Sequence, residues 1–370
     1  MRFDTAPFIA IWEVTQACAL ACRHCRAEAQ PLALPGELSL AEGIDLIDQI
    51  ADLGAAVLVF MGGDPLARAD LLDLVRHGKS RGLRVATIPA ATDRVTKEHI
   101  AALKEAGLTQ IAQSIDFADH AAHDGFRQVP GTLQRTLQIV AWAHESALPV
   151  QVNTVFHGGN CRDFPNLARL VQSLDVVFWE IFFLVPTGRG RDVAGLDARE
   201  VENIFSQIYD FSKTVKFFIK VTEAPHYLRY TVERRLLEAG CDPLEVQRRG
   251  SLLPRELTAA LGPRGTIGRA PEPVNSGKGF VFISYRGDVF PSGFLPVSAG
   301  NIRQSPLAAI YRDSKLFRDL RNPDLLKGRC GACPYRGICG GSRSRAFALT
   351  GDCLGEDPWC VYGAIPGNAA

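Results

Sequence analysis

Cys18, Cys22 and Cys25 stand in a C-x3-C-x2-C spacing just after an apolar run, Phe8 to Val14. Three thiolates can hold three irons of a cubane [4Fe–4S] cluster and leave the fourth iron open to a small molecule. Cluster potentials follow ligation and burial, so an open, reducing iron can pass an electron to whatever binds it. Half of a zinc site or a set of disulfides are the alternatives. Zinc wants four N/S ligands, and His24, directly before Cys25, is poorly placed to converge on the same ion. After a second apolar run comes Gly62-Gly63-Asp64-Pro65, a turn whose glycines let backbone approach closely and whose proline fixes the exit.

A second cysteine group lies in the tail: Cys330-x2-Cys333-x5-Cys339, then Cys353 and Cys360. This fits a zinc ribbon or a closed iron–sulfur site. Only Cys161 and Cys241 of the ten cysteines stand alone, and they read as small buried hydrophobes. Clustered cysteines without an export signal read as ligands in a reducing, cytoplasmic setting rather than as disulfides.

These groups need a scaffold. Strand-like runs at Phe8–Val14, Ala56–Met61, Leu83–Ile88, Gln110–Ile115, Val150–Phe156 and Val177–Val185 alternate with helical patterns at 39–53, 68–80, 96–106, 131–146 and 163–173. Gly54, Gly82 and Gly107 stand where helix C-caps want a left-handed residue, and Ser39 with Glu42 suits a capping box. Repeated β/α units predict a parallel sheet, either an α/β partial (β/α)6 TIM-like barrel, open at one side, or a doubly wound sheet. Ligands in both bind at the C-terminal strand ends, where the triad and the glycine turn fall.

The predicted divisions are a core over 1–190, a linker with bridging helices and a strand over 191–275, and a cysteine-rich domain over 276–370 containing a hairpin at 280–290 and a helix over 301–322. The stretch 241–275 reads as loop. A net charge of +1 gives no electrostatic case for nucleic acid. No apolar run nears the roughly 18 residues of a membrane span.

The triad together with the Gly-Gly-acid-Pro turn resembles the radical S-adenosylmethionine (AdoMet) superfamily. The resemblance implies that AdoMet chelates the open iron of Cys18, Cys22 and Cys25, and that an electron cleaves it to a 5′-deoxyadenosyl radical, which takes hydrogen from substrate. It implies AdoMet contacts from Gly62, Gly63, Asp64 and Pro65, and from Ser114, Asp116, Asn153 and Val185. Asp64 replaces the usual glutamate, and His24 the usual aromatic residue. The tail resembles SPASM and twitch extensions. With no cysteine between 242 and 329, that likeness implies one auxiliary [4Fe–4S] cluster on Cys330, Cys333, Cys339 and Cys360, with Cys353 as the rival fourth ligand. A flavodoxin or ferredoxin is the implied electron donor.

Segments such as Thr222–Tyr227, Asn275–Phe280 and Cys339–Arg345 resemble the haem d1 and siroheme-pathway haem-forming enzymes, which implies a tetrapyrrole whose propionates are processed. Arg189, Arg191, Arg343 and Arg345 are the expected loop cations for those carboxylates. Glu223, His226 and Tyr227 are candidate proton donors or substrate contacts. Ribosomal peptide maturation is the second reading, weakened by only seven residues preceding the first strand; a non-catalytic zinc-binding protein is the rival of another class.

Overall fold

Seven parallel strands follow one another around the molecule in chain order: β1 (Ile9–Glu13), β2 (Val57–Met61), β3 (Arg84–Thr87), β4 (Gln110–Ser114), β5 (Val150–Phe156), β6 (Phe178–Phe183) and β7 (Phe218–Thr222). The computed structural model describes residues 2–242 and 266–363. Residues 243–265, within the stretch expected to be loop, therefore lie outside the described residues.

Consecutive strands are neighbours throughout, with no reversal of order, which excludes the doubly wound sheet and leaves the partial barrel. The strand expected in the linker is β7; it pairs in parallel with β6 and extends the barrel wall beyond six. At the opposite edge β8 (Phe280–Ile283) pairs in parallel with β1 and antiparallel with β9 (Asp288–Phe290), which also pairs with β10 (Gly300–Asn301). The expected hairpin is thus welded onto the barrel.

Alternation along each strand divides inside from outside. Trp12, Phe60, Val85, Ile111, Val152 and Ile181 point outward into one apolar core. Ile11, Met61, Ala86, Ala112, Asn153 and Glu180 point inward and line a cavity of about 780 Å³.

Local signals act as expected. Ser39 Oγ accepts from Glu42 N (3.3 Å), and Glu42 Oε2 accepts from Ser39 N (2.8 Å), capping α1 (Leu40–Asp52). Gly54 and Gly82, at φ +89° and +79°, end α1 and α2 (Leu71–Ser80), and Gly107, at φ +99°, ends α3 (Lys97–Glu105). One short helix escaped the pattern: α4 (His120–Arg127), capped by Asp119, precedes α5 (Thr132–Glu145). The crossover to β6 is α6 (Phe164–Ser173), and α7 (Ala198–Ser212) and α8 (His226–Glu238) flank β7. The helix expected over 301–322 begins only at Leu307, after strand β10 and Pro306, and divides at Ser314, which is extended (ψ 140°), into α9 (Leu307–Asp313) and α10 (Lys315–Arg321). Short α11 (Gly328–Ala332) and α12 (Arg343–Thr350) complete the tail. No helix among the described residues is long and apolar enough to cross a membrane.

Candidate functional site: an open three-thiol mouth and a closed four-thiol hollow

Cys18, Cys22 and Cys25 sit on the loop after β1 and line the mouth of the barrel cavity. Burial drives Cys18 up to about 12, and Cys22 upward as well. Iron supplies the charge that such desolvated thiolates lack, so the donor set fits a cluster. Cys22 Sγ accepts from Arg127 Nη1 at 3.7 Å, and Cys18 Sγ from Leu20 N at 3.4 Å.

The glycine turn works differently from its simplest reading. A Cβ on Gly62 would meet Thr15 O at 2.4 Å, and one on Gly63 would meet Ala17 O at 2.4 Å. Gly63 N donates to Thr15 O (2.8 Å) and Asp64 N to Ala17 O (2.6 Å). The close approach is therefore to the chain leading into the triad, and the turn sets where Cys18 stands. Both glycines also line the cavity.

Asp64 is fully buried and engaged within the protein. Its carboxylate accepts from Leu66 N (3.2 Å), Ala90 N (3.3 Å) and Thr92 Oγ1 (3.0 Å), while Pro65 begins the turn it caps. Asp116 is likewise buried. It pairs with Arg127 and accepts from Val155 N (2.9 Å), and the guanidinium helps hold its carboxyl down at about 2. Neither carboxylate faces the cavity. Ser114, Asn153 and Val185 do line it, Ser114 standing in register with Asn153 across β4 and β5.

Arg127, at the end of α4, was missed from sequence. It lines the cavity beside Cys22, one terminal nitrogen on Asp116 and the other on the Cys22 sulfur; Asp119 capping α4 was the available signal. His24 stacks on Phe126 at 4.6 Å, and Phe126 stacks on His157 at 4.6 Å, so His24 completes an aromatic pile beside the triad. Its burial holds the imidazole neutral, at about 3.

Deeper in the barrel, Glu180 accepts from Lys220 Nζ (2.7 Å), Thr222 Oγ1 (2.6 Å) and Gln151 Nε2 (3.0 Å). Glu223, at φ +57°, and Tyr227 line the cavity. Glu223 accepts from Ser292 Oγ (3.2 Å), Ser344 Oγ (3.0 Å) and Ser342 Oγ.

In the tail, Cys330, Cys333, Cys339 and Cys360 line one small hollow, and Cys353 does not. Cys330 Sγ accepts from Asp357 N (3.4 Å) and Arg343 Nη2 (3.6 Å), and Cys339 Sγ from Gly341 N (3.3 Å). Donors aimed at sulfur suit iron–sulfur ligation. Burial raises Cys333 and Cys339, and drives Cys360 to about 11.

Two expectations need correction. Arg343 and Arg345 are not loop cations for substrate carboxylates: both are fully buried on α12. Arg345 pairs with Asp357 (3.2 Å), donates to Glu223 O (2.6 Å) and lies over the Trp359 ring at 4.1 Å. Arg343 donates to Gly355 O (2.7 Å) and Cys353 O (3.1 Å). His226 is not a proton donor to the barrel cavity either, because it lines the tail hollow. Arg189 is tied to Cys22 O at 3.0 Å, bracing the triad loop.

A parallel partial barrel with an open thiol triad at its mouth defines a class: enzymes that mount a cluster against a small-molecule cofactor. Residues 12–171 match the Radical SAM superfamily, and residues 275–334 the SPASM iron–sulfur cluster-binding domain. The chain is 37% identical to an AdoMet-dependent heme synthase of Nitratidesulfovibrio vulgaris over 95% of its own length and 91% of the relative's. It is also 37% identical to one of Methanosarcina barkeri over 98% of both chains. A PqqA peptide cyclase of Bradyrhizobium diazoefficiens is 27% identical over 97% of this chain and 88% of that one. The fold matches Streptococcus suis SuiB bound to S-adenosylmethionine with a TM-score of 0.70 at 13% identity, covering 96% of this chain and 78% of SuiB. The chain belongs to the radical SAM superfamily and carries a SPASM domain. It is an enzyme that uses AdoMet and two [4Fe–4S] clusters, one binding AdoMet and one auxiliary; the zinc readings are set aside.

Proposed function

We propose that this enzyme modifies the propionate side chains of an iron tetrapyrrole. The observation carrying this reading is the 37% identity to AdoMet-dependent heme synthases along nearly the whole chain. When bound, AdoMet and the reduced cluster supply a 5′-deoxyadenosyl radical that takes one hydrogen from substrate. Cys18, Cys22 and Cys25 hold the AdoMet-binding cluster, and Cys330, Cys333, Cys339 and Cys360 the auxiliary one.

The chain's own task is to bind and orient. Arg127 presents a guanidinium at the triad for the AdoMet carboxylate, alongside Ser114 and Asn153. A cavity of about 780 Å³ suits a large, flat, mostly apolar ligand. With Arg343 and Arg345 excluded, the carboxylate partners are Arg235 and Arg269 on the cavity wall. Burial, and after it the neighbouring positive charge of Arg235, lowers Arg269. Two propionates would relieve that repulsion and form charge-assisted pairs. Tyr227 is kept protonated by burial and lines the cavity as a hydrogen-bond donor for the substrate. The electron donor is a low-potential protein of the flavodoxin or ferredoxin kind, in a reducing, cytoplasmic setting.

The test is anaerobic incubation with AdoMet, dithionite and Fe-coproporphyrin III. Mass spectrometry should show deoxyadenosine and a porphyrin that has lost carboxyl groups, and Arg269→Ala should raise KM more than it lowers kcat. AdoMet cleavage with an unbound, unaltered porphyrin would reject the reading and favour peptide maturation, which the PqqA peptide cyclase likeness supports.

A further inference from the structure

His226 is 1% exposed, and no hydrogen bond of ordinary geometry among the described residues satisfies either ring nitrogen, the Trp359 backbone being the one polar group of the main chain within electrostatic reach. Buried imidazoles nearly always find partners, so an orphaned one points to a missing acceptor or donor. The nearest carboxylate, Asp357, stands 3.7 Å from Nδ1 and is already occupied. Its Oδ2 accepts from Ser342 N (2.8 Å) and Arg345 Nη1 (3.2 Å), and its Oδ1 from Trp359 N (3.1 Å).

The ring instead belongs to the wall of the hollow lined by Cys330, Cys333, Cys339 and Cys360. A second orphan shares that wall. Arg229 is 4% exposed; its terminal nitrogens are paired with Glu202 and Glu233, yet its Nε has no partner. Two buried side chains of α8 with unsatisfied nitrogen thus line the same hollow as the four thiols. The thiols' other sides already receive N–H groups from Asp357, Arg343 and Gly341.

We infer that His226 donates a ring N–H to a sulfur of the auxiliary cluster and thereby raises its reduction potential. The donor stabilises the extra negative charge of the reduced state, so its removal disfavours reduction. His226 is a positioning and tuning residue, not an iron ligand, because four cysteines already serve that role. The inference rests on the cysteine assignment above.

The experiment uses the full chain with Cys18, Cys22 and Cys25 replaced by Ala, so that the tail cluster alone gives the signal. In that background His226→Leu should keep about four irons per chain while the midpoint potential from an EPR-monitored titration moves down. His226→Gln, which retains an N–H, should recover part of the shift. In the parent, 15N-histidine labelling should show a weak hyperfine coupling from one imidazole, which requires no His226 variant to fold. An unchanged potential, or no coupling, overturns the inference. Lost irons or a strong directly bonded nitrogen coupling would make His226 a ligand and overturn it as well. The cysteine assignment fails separately, if Cys339→Ala retains the tail irons.

Discussion

The two cysteine sites differ in how the chain closes around them. At the barrel mouth, three thiols within eight residues face a cavity of about 780 Å³, held in place by contacts behind them: the glycine turn, Arg189 on Cys22 O, and Arg127 against Asp116. In the tail, four thiols spread over 330–360 face a hollow of about 20 Å³ also lined by the buried His226, Arg229 and Asp357. The first arrangement leaves a corner for a ligand and room for a substrate. The second presents a fourth thiol that completes the ligand set of its cluster, so it suits electron storage and transfer rather than ligand chemistry.

The largest expected effect follows from that contrast. Replacing Cys18, Cys22 and Cys25 with Ala should lower AdoMet cleavage under dithionite by about 10³-fold or more, about 4 kcal/mol of barrier. Cys339→Ala should leave cleavage within a fewfold of the parent while product formation is lost. Cys360→Ala should behave like Cys339→Ala, whereas Cys353→Ala should keep all its iron, because Cys353 stands outside the hollow. Deoxyadenosine, product and iron measured on one set of preparations decide this. Equal loss of cleavage from both regions would erase the distinction between open and closed sites.

A subtler break tests the scaffold of one site alone. Gly63→Ala would push a methyl to 2.4 Å from Ala17 O and 2.6 Å from Gln16 O, both backbone atoms that cannot swing aside. Overpacking of this kind costs about 1–3 kcal/mol. The strain falls on the loop into Cys18, so the barrel irons should be depleted and the tail irons kept. Uniform iron loss, or none, would show that the turn does not position the triad.

How much of this was legible depends on whether a signal was local. The β/α cadence could be read because each strand's apolar run and each helix's cap are encoded within a few residues, as at Ser39 and Glu42. Helix α4 escaped because its eight residues include only one large apolar side chain, Phe126. Strand β7 was seen, but its membership of the barrel wall was not, since register with β6 is set by partners some 40 residues away. The cysteine groups declared their chemistry through spacing alone. The roles of charged residues did not: Arg343 and Arg345 look like solvent-facing loop cations until their forks are seen closed on carbonyls and Asp357. Asp64 looks like a ligand contact until Leu66, Ala90 and Thr92 are seen filling its carboxylate. Such residues are defined by what surrounds them, and the surroundings come from remote parts of the chain.

The smallest effect compares the two regions through their histidines. Burial holds His24 at about 3 and His123 at about 4 beside the barrel mouth, and His226 at about 3 beside the tail hollow, against an ordinary value of 6.5. Below pH 6.5 the unfolded chain takes up protons that the folded chain refuses, so it binds more, and stability falls as the pH falls. The loss should run from about pH 6.5 toward pH 4, at no more than about 1.4 kcal/mol per pH unit for each group. Thermal midpoints of the cluster-free protein between pH 7 and pH 4.5 should trace it, and His24→Phe and His226→Leu should each flatten the slope by one group's share. A variant that leaves the slope untouched would show that its histidine is protonated as readily in the folded chain as in the unfolded one.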